Sequence, residues 1–370
     1  MKNMIRFLLV AVTGLIILGL ILVFSSSNTY SQVRFNNLYF LFNSHSVKVI
    51  IAILLMFVFA FVKYEVFKNY SKYFLFSVIL LLIITLFMPH YNGASRWLAL
   101  GPIRFQPSGL AKLALIMHLA ALIDDKGDKI KSFGTGFVYP LIWIFAISGL
   151  IVLQPNMSTA VIIMFLSFTI MYVGGARFKH IIGTVTITGV CSAGLMMMMP
   201  HSRSRIMGFI SSLQEGGGEA NIQVTQAKIA LGSGGPFGIG IGMSRQSDLF
   251  LPESYGDFIF SVLGEEFGFI GTVVTLLVYL LIFIVGLIIA LKAVDRFGSL
   301  LAFGLSFNII ISAFINAGVV TGLLPTTGIT LPFISFGGTS IILFGISVGI
   351  LINIGNEYLK TQRIPEESTA

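Results

Sequence analysis

Four of the chain's 15 Asp and Glu residues, Glu253, Asp257, Glu265 and Glu266, fall within 14 positions of a 370-residue sequence. The stretch reads LPESYGDFIFSVLGEEFGFIG, residues 251–271, and it leads into an apolar run of membrane-crossing length. Carboxyl groups in such a place either move protons or bond to neighbours and lock the packing. Pro252 breaks the chain, so a helix is expected to begin near Glu253 or Ser254, with Asp257 in its first turn or two. Nearby cations and the helix dipole lower the pKa of such an acid, and desolvation raises it. An acid balanced between these influences accepts a proton from an alcohol. Glu265 and Glu266 lie about 12 Å further along a helix; for them, hydrogen bonds or ion pairs to neighbouring helices are the expected role.

The elements that must hold these acids are membrane helices. The mean hydropathy is +0.94 and only 10% of residues are charged, against about 25% in ordinary globular chains. The apolar runs are continuous rather than alternating, which excludes a β-barrel and predicts an all-α polytopic membrane protein. Ten spans are expected, over 7–24, 47–64, 71–88, 108–123, 137–153, 158–174, 180–199, 258–290, 299–321 and 333–355. The eighth interval exceeds one crossing, so residues 253–266 are read as a possible separate juxtamembrane or re-entrant helix. The N-terminus imitates a signal peptide, but its 18-residue apolar stretch is too long and no small-residue cleavage site follows. It is read as a retained first span, within a single domain covering 1–370.

With ten spans, 14 of the 23 Lys and Arg residues fall on the side of the termini and 9 on the other. The positive-inside rule puts both termini in the cytoplasm, with a short tail over about 356–370, and turns the one long connection, about 200–256 between spans 7 and 8, outward. Cys191 is the only cysteine, so no disulfide forms within the chain, and the five histidines show no metal-ligand spacing. The net charge of +8 is spread along the chain without nucleic-acid motifs.

Seven of the nine outward cations cluster in 89–112 and 200–256. The first region, PHYNGASRWLALGPIRFQPSGLAK, has turn signals at Asn92-Gly93 and Gly101-Pro102 and predicts a small hairpin-like cap. Pro107 suits the first turn of a helix, and Ser108 stands ready to bond its free N–H groups. Lys112, early in that helix, opposes the helix dipole. Each cation alone can be read as snorkelling to lipid headgroups; Arg96, Arg104 and Lys112 together, within 17 residues, point to a shared anion site. The second region holds a basic amphipathic stretch, HSRSRIMGFISSL, a helical stretch, NIQVTQAKIAL, and a glycine-rich one, GSGGPFGIGIGMS. Glycines of this kind bring backbone N–H groups to a phosphate, or simply allow tight turns, which is the reading favoured here. In GLLPTTGITLPFISFGGTS, 322–340, Pro and Gly interrupt the entry to the last span, and either a polar cavity or a packed turn accounts for that.

Taken together, GASRWLALGPIRFQPSGLAKLAL, LQPNMSTA, QAKIALGSGGPFGIGIGMSRQ, the opening stretch and this last segment resemble the SEDS family, the FtsW/RodA/SpoVE proteins of shape, elongation, division and sporulation. The order of the pieces matches, nearly the whole chain is covered, and GIGIGMSRQ and LPFISFGG look more like the division branch. The resemblance implies a peptidoglycan glycosyltransferase that polymerises lipid II at the outer face of the bacterial cytoplasmic membrane, with Asp257 as its essential acid. It implies a class B penicillin-binding protein, a transpeptidase, as partner, within the divisome or elongasome. Arg96, Lys112, Arg205 and Lys228, aided by Arg104 and Arg245, are the candidates for holding the diphosphate leaving group; Gln106, Ser108 and Glu253 are further substrate-binding candidates. A divalent cation, Mg or Mn, is compatible with that chemistry, although no protein metal ligands are expected. Gly109, Asn156 and Ser158 depart from the family's QPS-acid and QPDLGT patterns, and Tyr255-Gly256 replaces the His-Thr before the essential acid. Two rival readings are a lipid II flippase, which predicts a midplane site with repeat symmetry, and a silent scaffold that recruits the transpeptidase, which the missing acids at 109 and 156 favour.

Overall fold

The computed structural model describes residues 1–88, 96–100, 103–214, 222–246 and 251–367. Among these residues twelve α-helices and one β-hairpin follow in the order α1 Lys2–Phe35, α2 Phe40–Phe61, α3 Glu65–Leu86, β1 Leu98–Leu100, β2 Ile103–Phe105, α4 Pro107–Lys126, α5 Val138–Leu153, α6 Met157–Val173, α7 Phe178–Met198, α8 Pro200–Gln214, α9 Ile222–Ser233, α10 Ile259–Lys292, α11 Arg296–Val320 and α12 Gly338–Glu367. Among the described residues nine helices are long and apolar enough to cross a membrane, and the shorter apolar α6 makes the tenth expected span. The chain is a multi-pass helical membrane protein.

The centre of the bundle is α4, α11 and α12, while α7 is almost wholly exposed at the rim. Lipid gives little drive to bring two helices together, so close packing depends on small residues. Gly345 and Gly349, one turn apart on α12, face α2 so closely that an added Cβ would lie 2.7 Å from the Ala52 carbonyl oxygen and 2.4 Å from that of Met56. Gly19 on α1 likewise admits Ile334, whose Cα would meet an added Cβ at 2.7 Å. That contact seats the later part of the Pro/Gly segment 321–337, residues 331–337, inside the bundle, while 321–330 are exposed or half-buried.

The hairpin is present, with Leu98 opposite Phe105 and Leu100 opposite Ile103 in an antiparallel pair; its turn signals at Asn92-Gly93 and Gly101-Pro102 lie outside the described residues. Pro107 opens α4 as expected, but the N-cap is Gln106, and no side chain caps the helix. Ser108 is buried one step inside it and does not take the expected capping role. Instead the Gln106 N–H donates to Thr339 Oγ1 at 3.0 Å, joining the hairpin to the first turn of α12.

Two helix boundaries differ from expectation. The last span starts at Gly338 rather than 333, because 332–335 form a turn and the Leu331 N–H donates to Ser335 Oγ at 2.8 Å. The helix of the expected eighth span, α10, starts at Ile259, not near Glu253 or Ser254. The carbonyls that would have begun it are taken from outside. Tyr255 O accepts from the Phe336 N–H at 2.9 Å, Gly256 O from Ser335 Oγ at 2.8 Å and Asp257 O from Asn316 Nδ2 at 2.7 Å. Residues 251–258 are therefore a turn bound to segment 321–337. The expected division of the eighth interval is present with shifted bounds: Gly268, at φ 72°, ψ −170°, breaks α10 into a buried 259–267 half and a long second half.

Candidate active site

Asp257 sits in that turn, half-buried, immediately before α10. Its Oδ2 lies 3.4 Å from where a Cβ on residue 328 would stand, so Gly328, at φ +77°, leaves the carboxyl room beside the backbone. Arg205, carried by α8, reaches the same strip of chain, its Nη1 donating to the Thr326 carbonyl at 3.2 Å. Asp257 and Arg205 thus border the same strip, 326–328, close enough for their charges to interact though without an ion pair, on elements far apart in sequence. Arg96 is close enough for its charge to act on Arg205, and its guanidinium donates to the Pro155 carbonyl. Its Nε is buried with no hydrogen-bond partner among the described residues.

Burial pushes the Asp257 carboxyl up to about 6, Glu253 adds to the rise, and Arg205 opposes it. Burial lowers the pKa of Arg205, against the pull of Asp257, and lowers that of Arg96, helped by the charge of Arg205. Two guanidinium groups held near each other with incomplete solvation favour an anion between them. The four ion pairs found among the described residues involve Lys68, Lys131 and Lys360, and none includes Arg96, Arg205, Lys112 or Lys228. Because Arg205 restrains the pKa of Asp257, an Arg205→Gln chain is expected to move the acid limb of its pH–rate profile to higher pH. A profile that stays in place would remove the electrostatic link.

The other sequence candidates divide. Glu253, at φ 61°, shares the turn with Asp257, and Gln106 contributes its backbone to the α12 junction. Lys112 lies on α4, with no hydrogen bond or ion pair among the described residues. Lys228, on α9, lies against Gly322 at the start of segment 321–337, at the opposite end of it from the turn 332–335; no contact joins it to Asp257. The Arg104 side chain lies outside the described residues. Arg245 donates its backbone N–H to Glu265 Oε1 at 3.1 Å. At Gly109, one position of departure from the family pattern, an added Cβ would stand 3.0 Å from Leu343 Cδ1, a contact that a small shift of that terminal methyl relieves.

Glu265 and Glu266 form hydrogen bonds as expected, but only Glu266 reaches a neighbouring helix; Glu265 bonds to the loop 244–246. Both oxygens of Glu265 accept, from Ser244 Oγ at 2.6 Å and from the N–H groups of Arg245 and Gln246. Glu266 Oε1 accepts from Ser25 Oγ on α1 and from the Gly242 N–H at 3.1 Å. The glycine stretch supports the tight-turn reading, since the Ile239 and Gly240 N–H groups donate to the Glu265 and Glu266 carbonyls rather than facing a ligand. Sequence reasoning missed Asn316 and Ser335, which hold the Asp257 turn; the amides of Asn308 and Asn316 in the apolar run 299–321 were the available signal. No group of three or more His, Cys, Asp and Glu residues among the described residues can hold a metal, and Asp257 with Glu253 makes two carboxyl groups at most, so no step is assigned to a protein-held ion.

The family profile for FtsW/RodA/SpoVE, described as a cell cycle protein, matches residues 6–360. The chain belongs to the FtsW/RodA/SpoVE family. Among its relatives, the probable peptidoglycan glycosyltransferase FtsW of Geobacter sp. (strain M18) is 37% identical over 343 residues, covering 91% of this chain and 92% of the relative. The stage V sporulation protein E of Bacillus subtilis (strain 168) is 36% identical over 354 residues, covering 94% and 96%. A chain from a solved peptidoglycan synthase complex, studied for its structural coordination of polymerization and crosslinking, is similar with a TM-score of 0.79 and 26% identity, covering 95% of this chain and 97% of that one. The crystal structure of the rod shape determining protein RodA of Thermus thermophilus gives a TM-score of 0.70 at 25% identity, covering 95% and 96%. The FtsW/RodA/SpoVE fold is thus shared over almost the whole chain.

Proposed function

We propose that this chain is a peptidoglycan glycosyltransferase that polymerises lipid II at the outer face of the cytoplasmic membrane, in septal wall synthesis, with Asp257 as general base. The single observation that carries the reading is that the Asp257 carboxyl and the Arg205 guanidinium both border residues 326–328, with Arg96 nearby. A carboxyl with a pKa of about 6 is ionised at neutral pH yet basic enough to take a proton as an alcohol attacks. Asp257 removes the proton of the acceptor's GlcNAc 4-hydroxyl. That oxygen bonds to C1 of the donor's MurNAc, with inversion, as the bond from C1 to the diphosphate oxygen breaks. The electron pair leaves with undecaprenyl diphosphate, whose growing charge Arg205 and Arg96 meet with preorganised donors.

The relatives named as FtsW favour the septal assignment, and the similar chain of a peptidoglycan synthase complex favours a class B penicillin-binding protein as partner. The excess of cations on the side of the termini supports the outward orientation of the site. The test is to give lipid II in detergent to the purified chain together with its transpeptidase. Glycan strands are expected, with release of undecaprenyl diphosphate. Lipid II moved across vesicles without polymer would favour a flippase, and silence in both assays a scaffold.

A further inference from the structure

We propose that Asn316 is a positioning residue for the transfer reaction, a two-pronged amide clamp that fixes the Asp257 turn against segment 321–337. The inference rests on the glycosyltransferase reading. Asn316 lies in the last two turns of α11 and is only 1% exposed. Its Nδ2 donates to two carbonyls at once, Asp257 O at 2.7 Å and Ile329 O at 2.7 Å. Both partners are acceptors, so only the nitrogen of the amide can face them, and its orientation is determined by chemistry.

The two bonds join the residue that bears the proposed base to the residue after Gly328, the position beside which the Asp257 carboxyl lies. Neither backbone can satisfy the other directly, because carbonyl oxygens repel. The turn's remaining ties, Phe336 N–H to Tyr255 O and Ser335 Oγ to Gly256 O, hold the two residues before Asp257. Asn316 alone among the described residues bonds the backbone of Asp257 itself to segment 321–337. Without it, rotation about the 256–257 linkage moves the carboxyl relative to Thr326, where Arg205 is held. A displacement of about 1 Å lowers a rate about 100-fold when the reacting groups must be aligned.

Two variants and a control test this in the polymerisation assay. Asn316→Ser removes both prongs without charge; Asn316→Asp keeps the shape but sets an oxygen against two carbonyls. Ser312→Ala, one turn earlier, loses only a bond to its own helix at Asn308 O. Both Asn316 variants are expected to lose turnover about 100-fold, with KM for lipid II within threefold of wild type. The acid limb of Asn316→Ser is expected to move toward the ordinary carboxylate range as the loosened Asp257 carboxyl gains solvent, while Ser312→Ala behaves as wild type. Turnover of Asn316→Ser within twofold of wild type, or a KM effect alone, would overturn the clamp. Failure of both variants to give folded protein would leave the amide a purely structural role and overturn it as well. The wild-type lane separates this from the parent reading: a silent wild type removes the glycosyltransferase and the clamp together, whereas an active wild type beside an equally active Asn316→Ser removes the clamp alone.

Discussion

An Asp257→Asn chain is expected to lose lipid II polymerisation by about 100- to 10,000-fold, the range by which a positioned base accelerates a reaction, while still binding lipid II. The change removes one proton-accepting oxygen and keeps the shape of the side chain. The backbone ties of the turn, from Asn316, Ser335 and Phe336, do not involve the carboxyl and remain. In the wild-type chain the rate is expected to climb as pH rises through about 6, where Asp257 ionises, and then to level off. Stability should run the other way. The folded carboxyl holds its proton up to about 6, whereas in the unfolded chain it gives it up at the ordinary value of 3.8. Between those values the folded state binds more protons than the unfolded one, so raising the pH through this window weakens folding. The protein therefore keeps Asp257 at some expense to stability, as expected of a site selected for chemistry rather than packing. Steady-state rates of the two chains across pH 4.5–8 check the rate predictions and thermal unfolding across pH 4–7 the stability trend, and an Asp257→Asn chain with wild-type rates would remove Asp257 from the mechanism.

Most of the helices were legible in the sequence because a span needs about twenty apolar residues and nothing else. The hairpin was legible for a similar local reason, with two short alternating runs flanking Gly101-Pro102. Asp257 stood out because a carboxyl group beside an apolar run needs a reason to be there. What could not be read was anything decided by distant partners. The start of α10 follows local propensity only until Ser335, Phe336 and Asn316, 59 to 81 residues away, take the carbonyls of 255–257. The choice of cations was unreadable for the same reason. Arg205 and Lys228 carry equal charge on neighbouring helices, yet Arg205 reaches Thr326 while Lys228 rests on Gly322. Ser25 is one of three consecutive serines at the end of an apolar run, and only the folded chain shows it bonded to Glu266.

The second large effect is expected at Glu265, where replacement by alanine should destabilise the fold by about 3 kcal/mol, counting roughly 1 kcal/mol for each of three hydrogen bonds. The reason begins with Gly268. A break in a helix strands the N–H groups after it and the carbonyls before it, and inside a membrane protein such groups must find partners. Segment 235–240 supplies them on both sides of the break: the Phe269 and Ile270 N–H groups donate to Gly235 O and Pro236 O, and Glu265 O and Glu266 O accept from Ile239 and Gly240. That match requires backbone on backbone. A Cβ at Gly234 would fall 2.0 Å from Gly264 O, and one at Gly238 2.1 Å from Glu266 O. The Glu265 side chain then closes the far end of the same loop through Ser244, Arg245 and Gln246. Alanine leaves the buried Ser244 hydroxyl and two N–H groups without that acceptor, whereas Glu265→Gln retains one accepting oxygen and should fall between. Glu357→Ala, which breaks only an exposed i,i+3 pair with Lys360, should change stability little. Thermal unfolding in detergent checks the order wild type ≈ Glu357→Ala > Glu265→Gln > Glu265→Ala. If Glu265→Ala melts with wild type, the loop is held by its backbone bonds alone and the side chain needs another explanation.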